Sequence, residues 1–280
     1  MVVDTVVLRF PGFKEKAVTL SYDDDVVASV RLKEILDKYG LKCTFNFNGG
    51  LFTEKTTNRK LCEEDAVKFF AGSNHEIACH GYRHYTLTQT EPQTGAWDIL
   101  KDRCSLERIF KRIIYGYAYP NGGFARKAAE TARTAGIKYA RTVKSTHDFR
   151  FPVDWLEWNP TCRHADPQLF DLLEDFLRFQ RGVPNDYDSR VFYLWGHAYE
   201  FDDDDNWEII EKFAKIVADN SDVIYCATNG EIYRYAESFR LLEFDLERKI
   251  IYNPTQVDLY IQINKTRNYV LKAGETLYVE

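Results

Sequence analysis

The stretch A-V-T-L-S-Y-D-D-D, residues 17–25, decides the fold of this 280-residue chain, because it reads as a buried strand that ends in three carboxylates. Its first six residues are mostly apolar and β-prone. Apolar residues then recur at helical spacing over residues 26–39, and Gly40 stands where a C-cap is expected. The run C-T-F-N-F-N at residues 43–48 predicts a second strand. The chain therefore begins as strand, helix, strand.

The alternation of strands and helices continues to residue 242. We expect helices at residues 63–70, 96–111, 125–135, 168–178, 207–219 and 232–242, and strands at residues 75–78, 114–119, 138–142, 190–195 and 223–227. About seven strands that alternate with helices are typical of a parallel (β/α) barrel, in which active residues lie at the carboxyl ends of strands. Such ends carry Asp23, Asp24, His80, Tyr119 and His197.

The last part of the chain has a different pattern. Residues 243–280 alternate with period two and carry turn signals at Asn253-Pro254 and Ala273-Gly274. We predict an α/β barrel over residues 1–242 and a small antiparallel β appendage over residues 243–280.

Composition limits the kinds of partner that we expect and the cellular compartment. The net charge is −6 and the Lys and Arg residues form no cluster, so we expect neither nucleic acid nor an anionic membrane surface as a partner. No apolar run reaches the roughly 18 residues that span a bilayer, and the N-terminus does not read as a signal peptide. The six cysteines show no C-x-x-C spacing. The sequence thus predicts a cytoplasmic protein with reduced thiols, and it leaves the oligomeric state open.

Two histidines, His80 and His84, lie four residues apart in I-A-C-H-G-Y-R-H-Y, residues 77–85. On a helical turn such positions share one face, so two ring nitrogens can converge on one cation. The spacing also arises by chance, and Asp23 to Asp25 could equally be a solvated acidic turn that caps the next helix. A metal site needs both features together, with a base and an acid beside them.

Four segments resemble the motifs of the polysaccharide deacetylases, the NodB-like enzymes of carbohydrate esterase family 4. Residues 21–25 (S-Y-D-D-D) resemble the first motif, Thr-Phe-Asp-Asp-Gly, and residues 80–84 (H-G-Y-R-H) resemble the second, His-(Ser/Thr)-x-x-His. Residues 117–122 (Y-A-Y-P-N-G) lie where the third motif is expected, and residues 194–197 (L-W-G-H) are similar to the closing motif. The resemblance spans about residues 15–235 and implies a distorted (β/α)7-8 barrel of the NodB-like type.

The resemblance also implies a role for each motif residue. Asp24, His80 and His84 would hold a divalent metal, which we expect to be Zn²⁺, with Co²⁺, Ni²⁺ and Mn²⁺ as alternatives. Asp23 would be the general base and His197 the general acid. The backbone N–H of Asn121 would stabilise the oxyanion, with Tyr119 and Trp195 as further residues that could contact substrate.

The chain departs from the family pattern at three places. Asp25 replaces the usual glycine of the first motif, and Ala118 stands where the third motif normally has an arginine that orients the catalytic aspartate. The fourth motif, an Asp and Trp pair that supports the acid histidine, is only loosely matched by Asp154-Trp155. Arg163 and His164, in the same loop, are possible substitutes. We therefore include Asp25, Asp154 and His164 as candidate residues around the site.

These observations favour a metal-dependent hydrolase that removes acetyl groups from an N- or O-acetylated saccharide. Two alternatives remain open at this stage. One is a hydrolase of a non-sugar amide or imide on the same scaffold, and the other is a non-catalytic carbohydrate-binding protein, which the changes at Asp25 and Ala118 would allow.

Overall fold

The computed structural model describes residues 5–178 and 189–279. The strands are β1 Val6–Arg9, β2 Lys16–Asp23, β3 Thr44–Phe47, β4 Glu76–Cys79, β5 Gly116–Ala118, β6 Tyr139–Arg141, β7 Cys162–Arg163, β8 Arg190–His197, β9 Ile224–Cys226, β10 Glu243–Phe244, β11 Ile250–Tyr252, β12 Leu259–Ile263, β13 Arg267–Leu271 and β14 Thr276–Tyr278. The helices are α1 Ala28–Lys38, α2 Glu63–Phe70, α3 Pro92–Phe110, α4 Arg126–Thr134, α5 Leu169–Arg178, α6 Tyr199–Asp203, α7 Glu208–Asp219 and α8 Asn229–Arg240.

A curled parallel sheet, a half-barrel, forms the centre of the molecule: seven strands follow the order β6-β5-β4-β3-β2-β8-β7, and an eighth strand, β9, pairs with β2. Strand β2 pairs with β8 along its whole length. The other edge of β2 pairs with two strands in turn. β9 pairs with Lys16–Val18, and β3 pairs with residues 21–23. All eight residues of β2 are buried, as expected for a central parallel strand. The predicted α/β class with a parallel barrel-like sheet is confirmed.

The helices cover the sheet through narrow apolar faces. In α7 the buried residues are Ile210, Phe213, Ala214 and Val217, and in α5 they are Leu169, Leu172, Leu173 and Phe176. This spacing of three and four residues places each set on one side of its helix. Each fully buried Leu, Ile or Phe contributes roughly 1.5–3 kcal/mol relative to exposure, so these faces fix the helices to the sheet.

The C-terminal residues form two small antiparallel sheets. One has the order β10-β11-β14, and the other has the order β1-β12-β13. The second sheet includes the start of the chain, since Val6 to Arg9 pair in register with Ile263 to Tyr260. The pairing joins segments about 250 residues apart. The division into residues 1–242 and 243–280 remains a prediction. Strand β1, which lies in the first of these ranges, is part of a sheet with two strands of the second.

The register of the parallel sheet brings polar side chains together at its carboxyl edge. Asp23, the last residue of β2, pairs with Asn46 on one side and with His197 on the other. Further along the sheet, Ala118 at the end of β5 pairs with Arg141 at the end of β6. The carboxyl ends of these strands therefore form one site.

Candidate active site

Asp24, His80 and His84 converge at the carboxyl edge of the sheet. Each offers one ligand atom, and these three atoms all lie within 4.8 Å of one another. The Nε2 atom of His84 is 3.9 Å from Oδ1 of Asp24, and the two imidazole ring centroids are 4.7 Å apart. Among the residues that the structure describes, this is the group of three with the geometry to bind a metal ion.

The ring of His80 is oriented by a backbone carbonyl. Its Nδ1 lies 2.9 Å from the carbonyl oxygen of Ala118, so Nδ1–H donates and the Nε2 lone pair faces Asp24 and His84. The side chain is almost fully buried, and this burial lowers the pKa of His80. A neutral imidazole with a fixed tautomer is the form that a metal ligand requires.

A tight turn, not a helix, presents the two histidines. Gly81 has φ +82° and His84 has φ +57°, both in the left-handed region. A Cβ on Gly81 would lie 2.7 Å from Oδ2 of Asp98. The i, i+4 spacing therefore works here through a glycine turn, and the helical geometry assumed from the sequence is wrong.

Three polar side chains from neighbouring elements hold this turn. Asn48 donates from Nδ2 to the carbonyl oxygens of His80 and Gly81, at 2.8 Å in each case. Asp102 accepts from the backbone N–H of His80 at 2.9 Å, and Asp98 accepts from that of Arg83 at 2.8 Å. Burial raises the pKa of Asp102 to about 8. These contacts position the second-motif turn against strand β3 and helix α3.

Asp24 reaches the metal position through an unusual backbone conformation. Its φ is +71°, and its backbone N–H donates to the carbonyl oxygen of Asn46 at 3.0 Å. A left-handed conformation costs a non-glycine residue about 1–2 kcal/mol. The carboxylate of the following residue, Asp25, is buried and points to Lys60 at 3.0 Å. Because of this left-handed turn, the carboxylates of Asp23, Asp24 and Asp25 point in different directions.

Asp23 lies buried beside the three candidate ligands. Its Oδ2 is 3.8 Å from Nε2 of His80 and 3.9 Å from Nε2 of His197, and Asn46 donates to its Oδ1 at 2.8 Å. The Arg141 guanidinium donates a short hydrogen bond to Oδ2. Burial raises the pKa of Asp23, but Arg141, His80 and His197 outweigh this effect and lower the pKa to about 2. Asp23 is therefore a carboxylate at neutral pH.

Arg141 occupies the gap that Ala118 leaves. The two residues are opposite each other in the β5–β6 register, so the arginine comes from the neighbouring strand. Its guanidinium also lies 4.4 Å from the Trp195 ring centroid and donates to the Thr142 carbonyl oxygen at 3.1 Å. The sequence analysis missed Arg141, although it stands at the carboxyl end of a predicted strand.

His197 lies at the end of β8, on the far side of Asp23 from Arg141. Its Nδ1 is 3.0 Å from Oε1 of Glu200 in α6. Nε2 of His164 lies 3.1 Å from Oε2 of the same carboxylate, and Arg163 donates to Oε1. Burial lowers the pKa of His197, but the Glu200 hydrogen bond and the charge of Asp23 outweigh it, and the net shift is upward. Glu200 is a second functional candidate that the sequence analysis missed; an i, i+3 His-x-x-Glu pair is the signal that points to it.

The other candidate residues take different positions. Trp195 stacks beside Arg141, whereas Tyr119 is buried and donates from its hydroxyl to the carbonyl oxygen of Leu156 at 2.9 Å. Asn121 has φ +56° in the short 3-10 turn after β5, and its side chain donates to Thr86 at 2.8 Å. Asp154 caps a 3-10 helix through the Leu156 N–H at 2.9 Å. The structure thus brings His164 to the site through Glu200 and engages the carboxylates of Asp154 and Asp25 elsewhere.

A family profile described as polysaccharide deacetylase matches residues 11–140, which contain the candidate metal ligands and Asp23. The matched segment is a little under half of the chain, and no curated protein matches the chain. The match supports a hydrolase of the deacetylase class, and Asp24, His80 and His84 form a candidate divalent-metal site.

Solved structures show the same fold at low sequence identity. A putative polysaccharide deacetylase from Mycobacterium smegmatis is 17% identical, with TM-score 0.58 over 84% of this chain and 94% of that one. A family 4 acetyl xylan esterase from Clostridium thermocellum, solved with a cobalt ion, is 16% identical, with TM-score 0.50 over 78% and 90%. The family 4 pseudoenzyme BA3943 from Bacillus anthracis is 15% identical, with TM-score 0.50 over 78% and 65%. The chain spans 55% of a Streptococcus pyogenes deacetylase.

One further finding concerns membranes. Within residues 5–178 and 189–279, no helix has both the length and the apolar character needed to cross a bilayer.

Proposed function

We propose that this chain is a metal-dependent hydrolase that removes an acetyl group from an N- or O-acetylated saccharide. The observation that carries the proposal is the convergence of Asp24, His80 and His84 within 4.8 Å, with Asp23 and His197 beside them. One carboxylate and two imidazoles leave coordination positions open for water and substrate, which is the arrangement of a catalytic rather than a structural site.

The donor set fits a divalent ion of the Zn²⁺, Co²⁺, Ni²⁺ or Mn²⁺ type. The buried ring of His80 is held with its Nε2 free by the Ala118 carbonyl, and this supports a ligand role. An ion held by Asp24, His80 and His84 would polarise the acyl carbonyl and bring the pKa of water towards about 7. The cobalt ion in the Clostridium thermocellum esterase supports a metal in this fold.

Two side chains of the protein divide the proton transfers. Asp23 is held as a carboxylate by Arg141 and Asn46, so it can accept a proton from the attacking water. His197 has a raised pKa, which favours the protonated form that donates to the departing amine or alkoxide. The backbone N–H of Asn121 is proposed to stabilise the oxyanion, because the N–H groups of Gly122 and Gly123 are used within the turn itself.

A cavity beside the site supports a saccharide as the leaving group. It has a volume of about 460 Å³, and Asp24 and Tyr199 line it together with Asn58, Arg59 and Asp203. The Tyr199 ring centroid is 5.2 Å from that of His197, the proposed acid. A partly exposed aromatic ring with charged and amide side chains around it suits a sugar, which needs a stacking face and both donors and acceptors.

The test combines metal analysis with a substrate panel. The purified protein should contain about one divalent ion per chain and release acetate from acetylated chito- or xylo-oligosaccharides, and a chelator should abolish the release. His80→Ala should lose metal and turnover, whereas the matched variant His147→Ala should retain both, because His147 is exposed and pairs with Asp166. Turnover of cyclic amides alone would favour the non-sugar rival, and sugar binding without acetate release would favour a pseudoenzyme.

A further inference from the structure

Glu200 contacts His197, the proposed general acid. Its carboxylate meets His197, His164 and Arg163, which come from strand β8 and from the β7 segment. Burial raises the pKa of Glu200, but these neighbours hold the pKa well below its usual range. An ionised carboxylate against Nδ1 of His197 fixes the tautomer and leaves Nε2 directed to Asp23, 3.9 Å away.

We propose that Glu200 is the positioning residue for His197 and that His164 and Arg163 clamp Glu200 in place. The proposal rests on the proposed function and deepens it. In this chain the carboxylate that supports the acid comes from the helix after β8, three residues beyond the histidine. The segment around Asp154-Trp155, which the family resemblance indicates as its source, is followed by Arg163 and His164, which supply the clamp instead.

The packing of His164 supports its role in holding Glu200. Its ring packs against both Tyr22 and Phe201, with centroid distances of 5.7 Å and 4.2 Å. Nδ1 is buried without a hydrogen-bond partner among the described residues, whereas Nε2 lies 3.1 Å from Oε2 of Glu200 and is the ring nitrogen that contacts that carboxylate. A Cβ on Gly196 would lie 2.0 Å from Nδ1 of His164. The glycine of the L-W-G-H motif therefore makes room for the clamp.

Several charged groups surround His197. Asp23 at the end of β2, Asp24 directly after it and Glu200 from α6 favour its protonated form, whereas His164 opposes it. Tyr199 and Trp195 pack against the ring without a charge. Removal of the Glu200 charge should therefore lower the pKa of His197 and weaken it as an acid at neutral pH.

The test compares Glu200→Gln with Asp154→Asn in the metal-loaded protein. Glu200→Gln should lower kcat by about 10- to 100-fold while KM changes less than about threefold. The alkaline limb of the pH profile should move to lower pH, and the pKa of His197 measured by ¹⁵N NMR should fall by about 1. Asp154→Asn should match the wild type, because the Asp154 carboxylate caps Leu156 and pairs with Arg133. Loss in Asp154→Asn with a normal Glu200→Gln would overturn the proposal.

A second variant tests the clamp. His164→Phe keeps an aromatic ring packed against Tyr22 and Phe201 but removes the nitrogen that faces Glu200, so kcat should fall by about 3- to 10-fold, in the same direction as in Glu200→Gln. A wild-type kcat in His164→Phe would overturn the clamp. If the wild-type protein releases no acetate, the proposed function fails, while the NMR shift of His197 still decides whether Glu200 holds it.

Discussion

Replacement of Arg141 by methionine should abolish most of the proposed activity and destabilise the protein. The Arg141 and Asp23 side chains are both almost fully buried, and the guanidinium is the charged partner of that carboxylate. Without it, the Asn46 amide, at 2.8 Å, is the remaining side-chain hydrogen-bond donor to Asp23 among the described residues. Removal of one partner from a buried ion pair typically costs about 3–5 kcal/mol, because the remaining charge is left uncompensated. This is a large fraction of the roughly 5–15 kcal/mol that stabilises a domain.

Loss of the contact between Arg141 and Asp23 should also lower kcat/KM. An interaction of about 3–4 kcal/mol corresponds to a decrease of about 10²–10³-fold in kcat/KM, since about 1.4 kcal/mol is tenfold. Arg141→Lys should lose less, about 10-fold, because it keeps the charge but not the planar stacking on Trp195, 4.4 Å away.

Acetate release and urea unfolding at neutral pH would measure the two effects. Arg133→Met serves as the matched control, because Arg133 is exposed and pairs with Asp154 at the surface. An Arg141→Met protein that keeps kcat/KM within threefold of the wild type would refute the role of Arg141 in holding Asp23.

Two further predictions concern the second-motif turn and the thiols. Gly81→Ala should lower the free energy of unfolding by about 1–3 kcal/mol and weaken zinc binding, because φ is +82° and the new Cβ meets Asp98 at 2.7 Å; urea unfolding and zinc titration would show this, and unchanged affinity would contradict it. Among the six free cysteines, exposed Cys104 should react first with a thiol reagent, and Cys104→Ser should remove that fast phase. Cys43 and Cys79 should react only on unfolding, because burial raises the pKa of both thiols; their rapid modification in the folded protein would contradict the packing.

The sequence predicts most of the fold because the relevant signals are local. Apolar periodicity identifies the strands and helices on either side of Asp23, and strand ends identify where polar residues gather. The pairing of β1 with β12 is not predictable in this way, since it joins residues about 250 positions apart. No local pattern marks such a partner.

In the candidate site, too, some residues are predictable from local sequence and others are not. Asp24, His80 and His84 lie in recognisable motifs, so their residue types and spacing suffice to propose a metal site. Arg141 and Glu200 act through the register of β5 with β6 and through the position of α6 after β8. The sequence therefore shows that an arginine is absent at Ala118, and only the fold shows that a neighbouring strand supplies one.

The most direct test of the account is a crystal structure of the zinc-loaded protein with anomalous data collected at the zinc edge. We predict one strong peak bonded to a carboxylate oxygen of Asp24 and to the Nε2 atoms of His80 and His84, with Asp23 still paired to Arg141. A zinc ion bound elsewhere, or bound without His84, would contradict it.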